Sequence, residues 1–170
     1  MRMTNLFFSL IVSTLIWSSV TQAKTCHQNH TAWSNTKPAV NVGHVITGEI
    51  NKNGKAVGFH SRSGGHDPAG ANMIKVLKGP NAKGIYTGQV TLCNGAGWTA
   101  KNGFSSFFPD SWTQDQVVQK IIEAHAAAGS PKTGKFSGKV DGITIEGYMC
   151  NEGQANCPKG NINTAYPLFL

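Results

Sequence analysis

The chain has 170 residues, a formal net charge of +7 and only 14% charged residues, with 39% hydrophobic ones. That is one domain's worth of sequence with enough apolar residues for a real core, and neither an internal repeat nor an interdomain linker breaks it. The basic balance favours anionic partners such as RNA, DNA, lipid headgroups or acidic polysaccharide, without choosing among them.

MRMTNLFFSLIVSTLIWSSVTQA opens with Arg2, an apolar run from Leu6 to Trp17, and small or polar residues down to Ala23. A charged start, a short apolar core and a cleavable end describe a secretory signal peptide over residues 1–23. The apolar run is shorter than the about 20 residues a spanning helix needs. The expectation is a secreted or periplasmic protein with no stable membrane insertion after cleavage, and a single mature domain over residues 24–170. All four cysteines, Cys26, Cys93, Cys150 and Cys157, fall in that part. An even count in an exported chain predicts two disulfides, with three pairings open. Cys150–Cys157, closing the loop NEGQAN, is favoured, which leaves Cys26–Cys93. A zinc site on Cys26, His27 and His30 with distant cysteines competes, without any paired Cys-x-x-Cys spacing to support it.

Residues 24–41 are polar and read as an irregular or short helical arm. Next comes GHVITGEINKNGKAVGFHS, which puts His44 and His60 at the outer ends of two short β-type runs, with Asn53-Gly54 near the turn. Asn-Gly between such runs is a strong hairpin signal. A two-residue loop sets His60 opposite Thr47 and leaves His44 on the other face. A three-residue loop, Lys52 to Gly54 with Gly54 left-handed, sets His60 opposite Ile46 and brings both imidazoles to one face, diagonal neighbours roughly 7–8 Å apart. The second register is the one expected.

SRSGGHDPAGAN is loop by composition, MIKVLKG is a short apolar run, and GIYTGQVTLC alternates as a half-buried strand does. NGAGWTAKNG is a loop or hairpin tip, followed by a short strand in FSSFFP. DSWTQDQVVQKIIEAHAAAGSP predicts the one convincing helix, with Thr113 and Gln116 as a capping box, an apolar stripe through Val117, Val118, Ile121, Ile122 and His125, and a stop at Gly129 and Pro131. KFSGKVDGITIEGYMC reads as a hairpin turned at Asp141-Gly142, and NTAYPLFL as a last strand. The fold class is therefore α+β: mainly antiparallel sheet with one prominent helix packed on it.

Three places combine into a chemistry: the His44/His60 pair, Lys101 with Ser105, and Thr164 with Tyr166. Two histidines and a lysine supply what metal-free RNA cleavage requires. The 2′-hydroxyl already lies near its phosphorus, so proximity is built into the substrate. One imidazole removes its proton, the other protonates the departing 5′-oxygen, and an ammonium stabilises charge on the phosphate oxygens. A tyrosine ring and hydroxyls suit an unpaired base and its sugar.

The ordered set H-V-I-T-G-E, G-F-H-S, Lys with Ser four residues on, and T-A-Y-P resembles the EndoU endoribonucleases. K-N-G-F-S-S-F-F-P-D-S-W before a helix resembles their bacterial branch, which includes toxin domains. The likeness runs from Gly43 to Leu168 and implies an EndoU-like ribonuclease fold. It also implies catalytic roles for His60 as base, His44 as acid and Lys101 as third member, and substrate contacts from Ser105, Thr164 and Tyr166. Cleavage of single-stranded RNA at uridines to 2′,3′-cyclic phosphate ends follows from the same resemblance. A toxin or effector role and a cognate immunity or inhibitor protein fit it too. Some family members show manganese dependence, but no carboxylate cluster is evident here, so no cofactor is expected.

Other residues have plainer readings. His66 could replace His44 if the hairpin register were unfavourable. Arg62, Lys75 and Lys78 are candidates for RNA-backbone contacts or simply solvated surface, Trp98 reads as packing, and His125 as a core histidine. The rival to catalysis is a basic secreted module that binds RNA or another polyanion without cutting it.

Overall fold

The computed structural model describes residues 26–27 and 31–170. The segment read as a signal peptide and His30 lie outside these residues. Among them, nine strands and one α-helix form an α+β fold of antiparallel sheets. A hairpin pairs β1 (Glu49–Ile50) with β2 (Ala56–Val57). A second sheet sets β3 (Ala71–Lys78) beside β4 (Tyr86–Cys93), whose other edge takes β5 (Trp98–Ala100) and β6 (Ser105–Phe107) in succession. After helix α1 (Gln114–Ala127), β7 (Lys135–Val140), β8 (Ile143–Met149) and β9 (Ile162–Pro167) make a three-stranded sheet.

Local chemistry explains the elements. Thr113 Oγ1 accepts from the Gln116 N–H while the Gln116 side chain accepts from the Thr113 N–H, so the expected capping box starts α1. Asp141 and Gly142 both have positive φ, 52° and 79°, the twist a two-residue hairpin needs between β7 and β8. MIKVLKG is longer than a short apolar run suggests, an edge strand paired on β4 along one side with register shifts at Ile74 and Leu77. The segment before Gly43 is no polar arm throughout: Val40 is fully buried, and the Asn41 N–H donates to Ile162 O.

Two apolar clusters result. The larger joins α1, through Val117, Ile121 and Ala124, to Phe136, Ile145 and Ile162 of the last sheet and to Val40, Val45 and Phe108. The smaller joins Phe59 to Tyr86, Val90, Leu92 and Phe107. His125 is buried and its Nε2 donates to Pro131 O at 2.8 Å, which makes it a satisfied core histidine at the helix end.

Both expected disulfides are present, Cys26–Cys93 and Cys150–Cys157, and they engage the cysteines the zinc reading required. No helix among the described residues is long and apolar enough to cross a membrane.

The helix meets the sheet closely at Gly138, where an added β-carbon would collide with the Ala124 carbonyl. Backbone cannot yield as a flexible side chain can, so Gly138→Ala is expected to destabilise the fold by about 1–3 kcal/mol or more. Thermal denaturation checks this, and an unchanged melting temperature would contradict the packing described.

Candidate active site

The β1–β2 hairpin has the three-residue register. Glu49 faces Val57 and Ile50 faces Ala56, Asn51 N–H donates to Lys55 O, and Gly54 is left-handed at φ 73°. Continued outward, that register sets His60 against Ile46. The ladder itself is short, however, and His44 is not on a strand. It sits in a π-helical turn, Gly43–Thr47, held by Thr47 Oγ1 donating to Gly43 O and by His44 N–H donating to Asn41 Oδ1. Such single turns recur at functional sites because they re-aim one side chain.

Past β2, Gly58 and Phe59 both adopt left-handed φ, 76° and 61°. The double turn lets Phe59 N–H reach His44 O at 2.9 Å and His60 N–H reach Val45 O at 2.7 Å. Gly58 is packed so close that an added β-carbon would collide with the His44 carbonyl and lie 2.9 Å from its ring Cδ2. No other residue fits there. The Gly58 carbonyl accepts from Lys101 Nζ at 2.8 Å and from Ser105 Oγ at 3.2 Å. Lys101 Nζ also donates to Ser105 Oγ at 2.7 Å. The hairpin thus brings His44, His60, Lys101 and Ser105 together around one glycine.

Each imidazole is oriented. His60 Nδ1 lies 2.8 Å from Ser106 O, and since a carbonyl only accepts, Nδ1 carries the hydrogen and Nε2 keeps its lone pair. Burial, the charge of Lys101 and then that of His44 push the His60 pKa well below 6.5, which leaves a neutral base at pH 7. His44 Nδ1 donates to Glu49 Oε1 at 2.9 Å, so a proton delivered by His44 leaves from Nε2. Burial also brings the Lys101 pKa down from 10.5 to about 8.

Strand β9 closes the site. Tyr166 stands with its ring centroid 5.3 Å from that of His60, and Thr164 lies two residues away on the same face. The Tyr166 hydroxyl is 3.4 Å from Glu146 Oε2, and burial with Tyr148 and Glu146 nearby raises its pKa to about 12, so it stays neutral. A cleft of about 530 Å³ opens beside Tyr166, bounded by Phe104, Leu77, Lys78 and Phe169.

Among the candidates left apart, His66 is exposed on the following loop and is not among the groups that perturb His60. Arg62 is engaged internally: Nε bonds Asp67 at 2.7 Å and Nη2 bonds Gly65 O at 2.7 Å, while Asp110 also takes the Tyr86 hydroxyl. Lys75 and Lys78 are exposed on β3. Sequence reasoning missed Gly58, Glu49, Asn41 and Phe59. The G-E of H-V-I-T-G-E, five residues past a histidine, was the available signal for Glu49. Among the described residues, no group of three or more His, Cys, Asp or Glu could hold a metal ion.

Burial of Lys101 has a measurable sign. Between about pH 8 and 10.5 the unfolded chain keeps a proton on this lysine that the folded chain has released, so stability rises with pH through that window. Below it, the buried ammonium opposes folding by ~3 kcal/mol. Lys101→Met is expected to raise the melting temperature at pH 7 and to remove the alkaline rise, as read by thermal denaturation across pH. His60 has the same sign: its folded pKa lies below 6.5, so stability is lost as pH falls through and below that value.

The family comparison covers this whole arrangement. The model described as "Bacterial EndoU nuclease" matches residues 38–169. A protein named "Toxin" from Bacillus cereus is 34% identical over 108 residues, which is 61% of this chain and 18% of that protein. The chain therefore spans less than a fifth of that relative's length. No solved structure matches. Since the matched span runs from the segment before the π-helical turn to the end of β9, the chain belongs to the bacterial EndoU nuclease family.

Proposed function

We propose that the chain is an endoribonuclease that cleaves single-stranded RNA 3′ to uridine by attack of the 2′-oxygen on the adjacent phosphorus. The observation that carries this reading is the gathering of a neutral, lone-pair-bearing His60, a second imidazole and an ammonium around Gly58. His60 Nε2 takes the 2′-hydroxyl proton as the 2′-oxygen–phosphorus bond forms. The bond from phosphorus to the 5′-oxygen breaks, and that oxygen takes a proton from His44 Nε2. The products are a 2′,3′-cyclic phosphate and a free 5′-hydroxyl.

Lys101 supports the non-bridging oxygens, with its ammonium held by Gly58 O and Ser105 Oγ before substrate arrives, so little reorganisation is needed. Ser105, fully buried, acts through that bracing. Tyr166 offers a ring face to the ribose, and Thr164 and the adjoining cleft take the uracil. Side chains supply all three needs of the reaction, so it proceeds without a metal. The toxin relative supports a toxin or effector role, and the proposal adds export by residues 1–23 and a protein inhibitor in the producing cell. The two disulfides fit an oxidising compartment.

A short RNA with a single uridine, incubated in EDTA, tests the chemistry. Cleavage 3′ to that uridine with a cyclic phosphate end is expected, and both His60→Ala and 2′-deoxyuridine at that position should abolish it. Activity that needs manganese would overturn the metal-free part. Cleavage of the deoxy substrate would overturn the mechanism.

Gly58→Ala tests the geometry. It pushes His44 away from Gly58, and displacement of a catalytic group by about 1 Å costs on the order of 10²-fold in rate. A loss of that size is expected in initial rates, and near-normal activity would show that the Gly58 contact does not position the site.

A further inference from the structure

Strand β3 ends its sheet. One edge of it pairs with β4, and near its start the Met73 N–H donates to Asp67 Oδ2 at 3.0 Å. Every residue from 74 to 78 except Ile74, which opens the stretch, follows Met73 in being accessible, and Ile74 is the most accessible of its large apolar side chains. Among the described residues no strand lies beside the outer edge of this stretch. Six large apolar side chains are exposed among the described residues, and three of them fall here: Ile74 at 55%, Val76 at 46% and Leu77 at 43%.

The last sheet gives the comparison. β7 also ends its sheet, and it alternates cleanly: Phe136 is buried, while Lys135, Ser137 and Lys139 are exposed. Polar and charged outward positions of that kind keep an edge from pairing with a neighbour. β3 departs from the pattern. Its register shifts at Ile74 and Leu77 break the alternation, so aliphatic side chains are exposed together with Lys75 and Lys78. Neither lysine is in an ion pair among the described residues.

Three features of this edge select its occupant. Open backbone N–H and C=O groups suit another strand, and they disfavour burial in lipid, where each would go unpaired. Aliphatic side chains offer no ring faces on which bases stack. A second copy of the chain would set the lysines of both strands along one short ladder, where like charges repel. We infer that the outer edge of β3 is a docking surface for a partner protein that adds an acidic strand to the sheet, alternating carboxylate and apolar side chains. The carboxylates meet Lys75 and Lys78, and the apolar side chains cover Ile74, Val76 and Leu77. Leu77 and Lys78 also reach the cleft beside Tyr166, so the partner is seated next to the site.

The inference goes beyond the ribonuclease reading, and its test measures binding alone. The probe is a disulfide-closed hairpin peptide whose outer strand alternates glutamate and valine over the length of β3, with a counterpart carrying lysine for glutamate. Closure holds the strand extended and lowers the entropy lost on docking. The full chain is titrated with each hairpin, and its backbone amide exchange is followed with and without the glutamate form. The glutamate hairpin is expected to bind at least about tenfold more tightly than the lysine one and to slow exchange within residues 74–78. Lys75→Glu combined with Lys78→Glu, both at exposed positions, is expected to reverse that preference. A glutamate hairpin that fails to bind, binding unchanged by the charge reversal, or protection confined to other residues would overturn the docking surface. A free chain that sediments as a dimer with these amides already protected would assign the edge to a second copy instead. Protection of the same amides by a uridine-free oligonucleotide, and not by the hairpin, would assign it to RNA.

Discussion

Everything chemical in this chain depends on one close approach, that of Gly58 to His44. The contact leaves no space for a side chain, and it sets Phe59 and His60 on backbone hydrogen bonds to residues 44 and 45. On its other side the same glycine turns its carbonyl toward Lys101 and Ser105. A histidine from a helical turn, one from beyond a hairpin strand and a lysine from a distant loop are thereby fixed relative to one another through a single peptide unit. Precision of this kind needs rigid backbone, since a group misplaced by about 1 Å loses most of its catalytic effect.

That arrangement is locally unfavourable, and burial holds it. Phe59 sits at φ 61°, a conformation that costs an ordinary side chain about 1–2 kcal/mol. Its ring is fully buried and meets Phe107 edge-on at 5.1 Å. Burying a phenylalanine contributes about 1.5–3 kcal/mol, enough to offset the strain. The smaller core is thus what keeps the Gly58–Phe59 double turn from relaxing and releasing His60.

Much of this was legible in the sequence, for identifiable reasons. Asn53-Gly54 marked the turn, and the requirement that His44 and His60 share a side selected the three-residue loop that is observed. Capping box, helix stop and Asp141-Gly142 turn are local signals with local causes, and each appears in place. The π-helical turn was not legible. The run Gly43–Thr47 has strand-like composition, and it is helical because Asn41 and Thr47 give its backbone groups partners that a ladder would otherwise supply. Nor was the left-handed Phe59, since only tertiary burial makes that conformation affordable. The burial of Val40 was hidden for a similar reason: its place is set by the backbone bonds that Ala39 and Asn41, on either side of it, make with Ile162, more than a hundred residues away.

The buried groups show why a site of this kind belongs with disulfides and a tight fold. Lys101 and His60 are both held where burial disfavours their charged forms, so both oppose folding at the pH where the unfolded chain would protonate them. Their proximity deepens the effect, because the ammonium itself helps keep His60 neutral. A buried neutral imidazole beside a buried ammonium is a pairing that lowers stability, and it is the pairing that the proposed mechanism uses. The compensation comes from elsewhere in the chain: the helix seated against Gly138, the two apolar clusters, and the two disulfides that tie Cys26 to the end of β4 and close the loop before β9. Tyr166 follows that second closure within nine residues, so the covalent tie lies on the same segment that carries the ring facing His60.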